Sequence, residues 1–152
     1  MLQMLSSRHV RPGFTLLEVI VVLAVIATLA SIVAPMVFQN VGDSRINAAR
    51  SQIDIFTLAL ESYYVDAGFY PTTEQGLVAL REEPTSPPVP QRWRGPYLRR
   101  VVPVDPWGRE YIYRSPGVHD PRSYDLYTLG RDGHPGGTDE DADITSWGGA
   151  VQ

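Results

Sequence analysis

The sequence predicts an α+β protein. A long N-terminal helix, membrane-spanning in its first half, packs in its second half on a small antiparallel β-sheet. Three observations predict this. From Val19 to Phe38 the chain runs 20 residues without a charge, which at 1.5 Å per residue makes a helix of about 30 Å, the thickness of a bilayer's hydrocarbon core. Beyond it, Ile46, Ala49, Ile53, Phe56, Leu60 and Tyr63 recur at spacings of three and four, the single apolar stripe of an amphipathic helix. Later, residues 109–113 and 124–129 are rich in aromatic and β-branched residues and flank a polar loop with Pro116-Gly117 and Asp120-Pro121, as two paired strands would.

Taken in order, residues 1–13 carry Arg8, His9 and Arg11 and no acid, whereas past the apolar run Asp43, Arg45, Arg50 and Asp54 cancel. The excess of basic residues assigns the N-terminus to the cytoplasm and the C-terminal domain to the far side of the membrane. A secretory signal peptide has a shorter apolar region, of about 7–15 residues, and a small-residue cleavage site; Ala34-Pro35-Met36 matches such a site poorly. A plain membrane anchor does not account for Glu18, because a charge within a membrane helix costs about 2.5–3.5 kcal/mol or more and marks a functional position by default.

With Gly68 as a stop after Asp66-Ala67, the helix is expected from Phe14 to Asp66. Pro35 lacks an N–H, so the carbonyl of Ser31 loses its partner and a kink or local melting is expected there; this is either a tolerated membrane kink or a feature of assembly. Gly42-Asp43-Ser44 is a second weak point. Thr72 and Gln75 have the spacing of a capping box, which predicts a short helix to about Arg81 with Leu77 and Leu80 buried. Pro84 to Pro96 holds five prolines in 13 residues and excludes a helix or a central strand. Asp105-Pro106-Trp107-Gly108 is a turn. The last segment, from Gly130, has six glycines and no periodicity.

Composition narrows the function. The net charge of −4 argues against nucleic acid as a partner. There is no cysteine, so the C-terminus is fastened without a disulfide. His9, His119 and His134 have no metal-ligand spacing, and no glycine-rich phosphate loop follows a strand, which leaves catalysis without a candidate site. The acidic loop is the one candidate ligand site, with Asp132, Asp139, Glu140, Asp141 and Asp143 within 12 residues. A solvated acidic segment would have the same composition.

Gly13-Phe14-Thr15-Leu16-Leu17-Glu18 resembles the prepilin processing site of type IV pilins and type II secretion pseudopilins. The resemblance implies that a membrane aspartyl peptidase cuts after Gly13 and methylates the new N-terminus at Phe14. Physically, glycine lets a protease approach the backbone closely. The freed Phe14 ammonium and Glu18 are then close enough to neutralise each other, within one chain or between neighbours. The domain boundaries that follow are a leader at 1–13, a membrane and assembly half of the helix at 14–42, and a periplasmic domain at 43–152.

The blocks Tyr70-Pro71-Thr72-Thr73-Glu74-Gln75-Gly76-Leu77, Gly95-Pro96-Tyr97-Leu98, Asp105-Pro106-Trp107-Gly108, Tyr124-Asp125-Leu126-Tyr127, Leu129-Gly130-x-Asp132-Gly133 and Asp143-Ile144-x-x-Trp147 occur in this order. Together they resemble the major pseudopilins of the type II secretion system, the G-type subunits. The resemblance implies a pilin-like fold with a C-terminal calcium-binding loop. Its side-chain ligands would be Asp132 and Asp143, with carbonyls near Leu129 and His134. Asp141 would substitute if the backbone is shifted, since this chain has Ala142-Asp143 where some members have adjacent aspartates. The implied role is non-enzymatic, a subunit that polymerises into a filament rooted in the bacterial inner membrane and driving export of folded proteins. Glu18 and Pro35 would serve assembly. The implied partners are the prepilin peptidase, the minor pseudopilins, the inner-membrane assembly platform and membrane lipid. The alternatives are a type IV pilin for adhesion or motility, and a membrane-anchored calcium-binding module that does not polymerise.

Overall fold

The computed structural model describes residues 14–149 and 151, with the backbone alone described at 34–39. Helix α1 spans Leu16–Ala67, and the chain divides between Gln39 and Asn40 into two compact units. The helix starts and ends within two residues of the expected limits. Its assignment is continuous through Pro35, without the local melting that was one of the two outcomes expected there, and through Gly42, the second weak point. Gly68 ends it as expected, at φ +82° and with its N–H on the Tyr64 carbonyl at 2.7 Å, a conformation glycine adopts without Cβ strain.

In the first unit every residue from Phe14 to Val33 is exposed. The window Leu16–Val33 has a mean hydropathy of 2.8, and among the described residues α1 is the one helix long and apolar enough to cross a membrane. Its hydroxyls are satisfied within the helix: Thr28 donates to the Ala24 carbonyl at 2.8 Å and Ser31 to the Thr28 carbonyl at 2.7 Å. A polar side chain facing hydrocarbon needs such an internal partner.

In the second unit the stripe read from the spacing is the core. Ala49, Ile53, Phe56, Ala59, Leu60 and Tyr63 are buried on α1, and Ile46 packs at the edge. Each large side chain removed from water there contributes about 1.5–3 kcal/mol. They meet Leu77 and Leu80, then Leu98, Tyr111, Tyr113, Tyr124, Leu126 and Ile144. The Phe56 and Tyr111 rings meet edge to face at 5.2 Å, the favoured arrangement for an aromatic pair.

The sheet has three antiparallel strands: β1 Ile112–Arg114, β2 Asp125–Thr128 and β3 Ile144–Thr145. The order is β1-β2-β3, with Tyr113 opposite Leu126 and Thr128 opposite Ile144. The expected pair forms with shorter strands, and β3 was not expected. β1 begins at Ile112 rather than Arg109 because the Arg109 main chain is committed elsewhere, to Asp105.

The Thr72–Gln75 box forms in both directions, at 3.1 and 3.2 Å, but it opens a turn and a 3₁₀ helix, Leu77–Leu80, in place of an α-helix. The buried Gln75 side chain also donates to the carbonyls of Ser86 and Pro88, at 2.7 and 3.0 Å. Trp93 donates to the Ala79 carbonyl at 3.2 Å. These bonds lay the proline-rich loop on the core.

Candidate functional site

Two places combine a sequence signal with defined geometry. The first is the start of α1. Gly13 lies outside the described residues; Phe14 is 84% exposed, and Phe14 and Thr15 precede the helix. The Glu18 N–H donates to Thr15 Oγ1 at 3.2 Å, so Thr15 is the N-cap. Thr15-Leu16-Leu17-Glu18 therefore has the spacing of a capping box, a signal present in the sequence but hidden beneath the processing motif. Glu18 sits in the first turn, where the unpaired N–H groups and the positive end of the helix dipole favour a carboxylate. A cut after Gly13 would leave this cap whole.

The second is the C-terminal loop after β2. Asp105, 3% exposed, organises its base. Asp105 Oδ1 accepts the N–H groups of Trp107 and Arg109, at 3.0 and 2.8 Å, and Oδ2 accepts the Thr128 hydroxyl at the end of β2. From there the Arg109 guanidinium donates to the carbonyls of Gly130 and Arg131. Arg131 in turn grips Asp141 with two bonds, at 2.8 and 2.9 Å, a bidentate pair.

Glu140 fastens the loop to α1. Its Oε2 accepts the Trp107 indole N–H at 3.2 Å and Arg45 at 3.3 Å. Gly42 makes room, since a Cβ there would lie 2.6 Å from Glu140 Oε1. The Trp107 hydrogen bond, with Arg45 and Arg131 assisting and burial opposing, holds the Glu140 carboxyl below the usual carboxylate range. These contacts perform the fastening that a disulfide performs elsewhere. Sequence reasoning missed them because they join residues far apart in the chain, with no local pattern.

The expected metal ligands are placed unequally. Asp132 Oδ1 accepts the His134 N–H at 3.0 Å, and His134 Nδ1 lies 2.9 Å from the Asp132 carbonyl. The Leu129 carbonyl accepts the Gly133 N–H at 3.3 Å. Both Asp141 oxygens are held by Arg131, so Asp141 is committed elsewhere. Asp143 Oδ2 accepts the N–H groups of Gly136 and Val151, at 2.8 and 3.1 Å. Asp143 Oδ1 is buried and has no partner among the described residues. An orphaned buried carboxylate oxygen calls for an ion, a water or a donor. The Asp143 residue also borders a cleft of about 490 Å³ between α1 and the loop, lined in part by Arg50, Asp54 and Thr145. Among the described residues no three Asp, Glu, His or Cys side chains converge, so carbonyls would have to supply most of the oxygens. Of the expected ligand atoms, Asp143 Oδ1 is buried without a partner among the described residues, and a carboxylate oxygen is the kind of ligand a hard cation takes.

The chain is similar to known proteins over most of its length. Residues 36–147 match the family model described as type II secretion system (T2SS), protein G, and residues 8–34 match the prokaryotic N-terminal methylation motif. The chain is 41% identical over 141 residues to the type II secretion system core protein G of Pseudomonas aeruginosa, covering 93% of this chain and 98% of that protein. It is 45% identical over 136 residues to the core protein G of Vibrio cholerae, covering 89% and 90%. The crystal structure of the major pseudopilin from the type 2 secretion system of enterohaemorrhagic Escherichia coli is similar with a TM-score of 0.59 and 37% identity, over 71% of this chain and 90% of that one.

Proposed function

The chain belongs to the type II secretion system protein G family, and we propose that it is a major pseudopilin, a structural subunit that polymerises after its leader is removed. The prepilin peptidase cuts after Gly13 and methylates Phe14. Residues 14–42 anchor the subunit as a single pass in the bacterial inner membrane, with the leader cytoplasmic and residues 43–152 periplasmic. The filament, in contact with minor pseudopilins, the inner-membrane assembly platform and membrane lipid, moves folded proteins outward; the subunit itself carries out no catalysis.

The observation that carries this reading is the exposed apolar helix with one carboxylate, Glu18, in its first turn, four residues after Phe14. In a membrane that face is covered by lipid or by neighbouring helices. A carboxylate there is stabilised by the helix N-terminus within its own chain, and more strongly by pairing with a cation. The Phe14 ammonium of an adjacent subunit is such a cation, so Glu18 sets the axial register in which subunits stack. Pro35, which lacks an N–H, is the point of this apolar run where the helix would bend if assembly calls for it.

In the periplasmic domain, calcium is proposed to bind at the C-terminal loop through Asp132 and Asp143, with carbonyls near Leu129 and His134. The ion would supply the positive charge that Asp143 Oδ1 lacks and would tie the last residues to the sheet. The processing step is tested by mass spectrometry of the membrane protein. The expected N-terminus is Phe14 with one added methyl, and Gly13→Val leaves the precursor full-length. Functional protein that still begins at Met1 refutes the reading.

A further inference from the structure

The loop that carries the acidic cluster is held at its first turn by a residue from outside the cluster. Arg109 donates from Nη1 to the Gly130 carbonyl and from Nη2 to the Arg131 carbonyl. Its own backbone is fixed at both ends: its N–H donates to Asp105 Oδ1 at 2.8 Å, and its carbonyl accepts the Asp105 N–H at 2.7 Å. Asp105 is buried and also holds Thr128, the last residue of β2. The guanidinium and the start of the loop thus hang from one carboxylate. The loop wraps the guanidinium closely, since a Cβ at Gly133, where φ is +72°, would lie 3.0 Å from Arg109 Cζ.

Successive carbonyls turned toward one point are the usual way a loop presents oxygens to a metal ion. Here they are turned toward a side-chain cation. We propose that Arg109 is a built-in cation of the C-terminal loop, a positioning residue that closes its first turn whether or not a metal is bound. The fork geometry matters. A guanidinium presents coplanar donors that reach two carbonyls at once, whereas an ammonium is a compact point charge with no fixed fork. The inference does not depend on the calcium reading.

The test is limited trypsin digestion of the full chain in detergent, following cleavage after Arg131, whose carbonyl Arg109 holds. In a calcium chelator the wild-type loop is expected to be cut slowly. Arg109→Ala is expected to be cut at least about tenfold faster, because local opening exposes the bond in proportion to the population of the open form. Cleavage after Arg114, in β1, is expected to stay slow in both. Arg109→Lys restores only part of the protection, and Arg109→Met, which keeps length without charge, restores little.

Four results would overturn the proposal: a wild-type loop that opens in chelator as fast as Arg109→Ala, an Arg109→Met protein protected like wild type, an Arg109→Lys protein protected in full, or a parallel rise at Arg114. The response to added calcium bears on the metal reading alone, so the two can fail separately.

Discussion

Removing the Asp105 carboxylate is expected to destabilise the periplasmic domain far more than its one position in a turn suggests. Asp105 is 3% exposed and accepts hydrogen bonds from the Trp107 and Arg109 main chain and the Thr128 hydroxyl. Hydrogen bonds to a charged group contribute about 1.5–3 kcal/mol each. They do not add fully, because the two N–H groups of the turn can turn partly to water once freed. The Thr128 hydroxyl cannot, at 2% exposure. Asp105→Ala should therefore cost about 3–5 kcal/mol, a large share of the roughly 5–15 kcal/mol that stabilises a typical domain. For a domain of this size that lowers the melting temperature by about 12–25 °C. Asp105→Asn keeps the Oδ1 acceptor and should cost about 1–2 kcal/mol. The assay is thermal melting of the full chain in detergent by tryptophan fluorescence, with exposed Asp54→Ala as the control expected within about 0.5 kcal/mol of wild type. An Asp105→Ala protein that melts within about 2 °C of wild type refutes the reasoning.

The other expectations concern pH and calcium. The Trp107 indole, with Arg45 behind it, keeps the Glu140 carboxyl below its ordinary 4.5; a lowered carboxyl contributes stability above its unfolded value and loses it as pH falls through the folded one. Trp107 fluorescence should therefore report loosening of the loop below pH 4.5, and Glu140→Gln should abolish that step. Burial, first among the causes in each case, pushes Tyr63, Tyr70 and Tyr111 up to about 12. An acid with a raised folded value contributes stability that is complete below its ordinary 10 and disappears as pH rises through 12, so cooperative unfolding is expected in that window. Gradual, independent ionisation of all eight tyrosines near pH 10 would contradict it. Calcium at a hundred times its Kd should add about 2.7 kcal/mol, with magnesium a poor substitute. Asp132→Ala and Asp143→Ala should each remove most of that gain, while Asp141→Ala and Glu140→Ala should leave it. A wild-type melt indifferent to calcium and chelator removes the metal from the account.

Much of the fold was written in local pattern. The stripe from Ile46 to Tyr63 is buried as its spacing demands, since a helix in contact with a sheet must alternate at that period. The strand pair was legible because a half-buried sheet selects aromatic and β-branched residues. β3 was not, because two residues, Ile144 and Thr145, set among glycines carry no period. They become a strand only because β2 offers them an open edge. The Thr15 cap was legible in principle, being a spacing of three. The closing of the C-terminal loop was not. Arg109 reads in sequence as the first residue of a strand, and its side-chain partners lie 21 and 22 residues away. Glu140 reads as one acid among five, yet it is the one that meets Trp107 and Arg45. Composition located the cluster, and tertiary contacts divide it between members that fasten the loop and Asp143, one oxygen of which has no partner among the described residues.

The central claim is that Glu18 pairs with the N-terminus of a neighbouring subunit in the polymer. Its most direct test is the yield of sheared filaments from cells expressing Glu18→Ala, measured beside the mass of the subunit's N-terminus. The account predicts a mutant that inserts, is cut before Phe14, and gives no stable filament, because the Thr15 cap and the apolar face of α1 are untouched while the pairing charge is gone. Wild-type filament yield from correctly processed Glu18→Ala protein would contradict it.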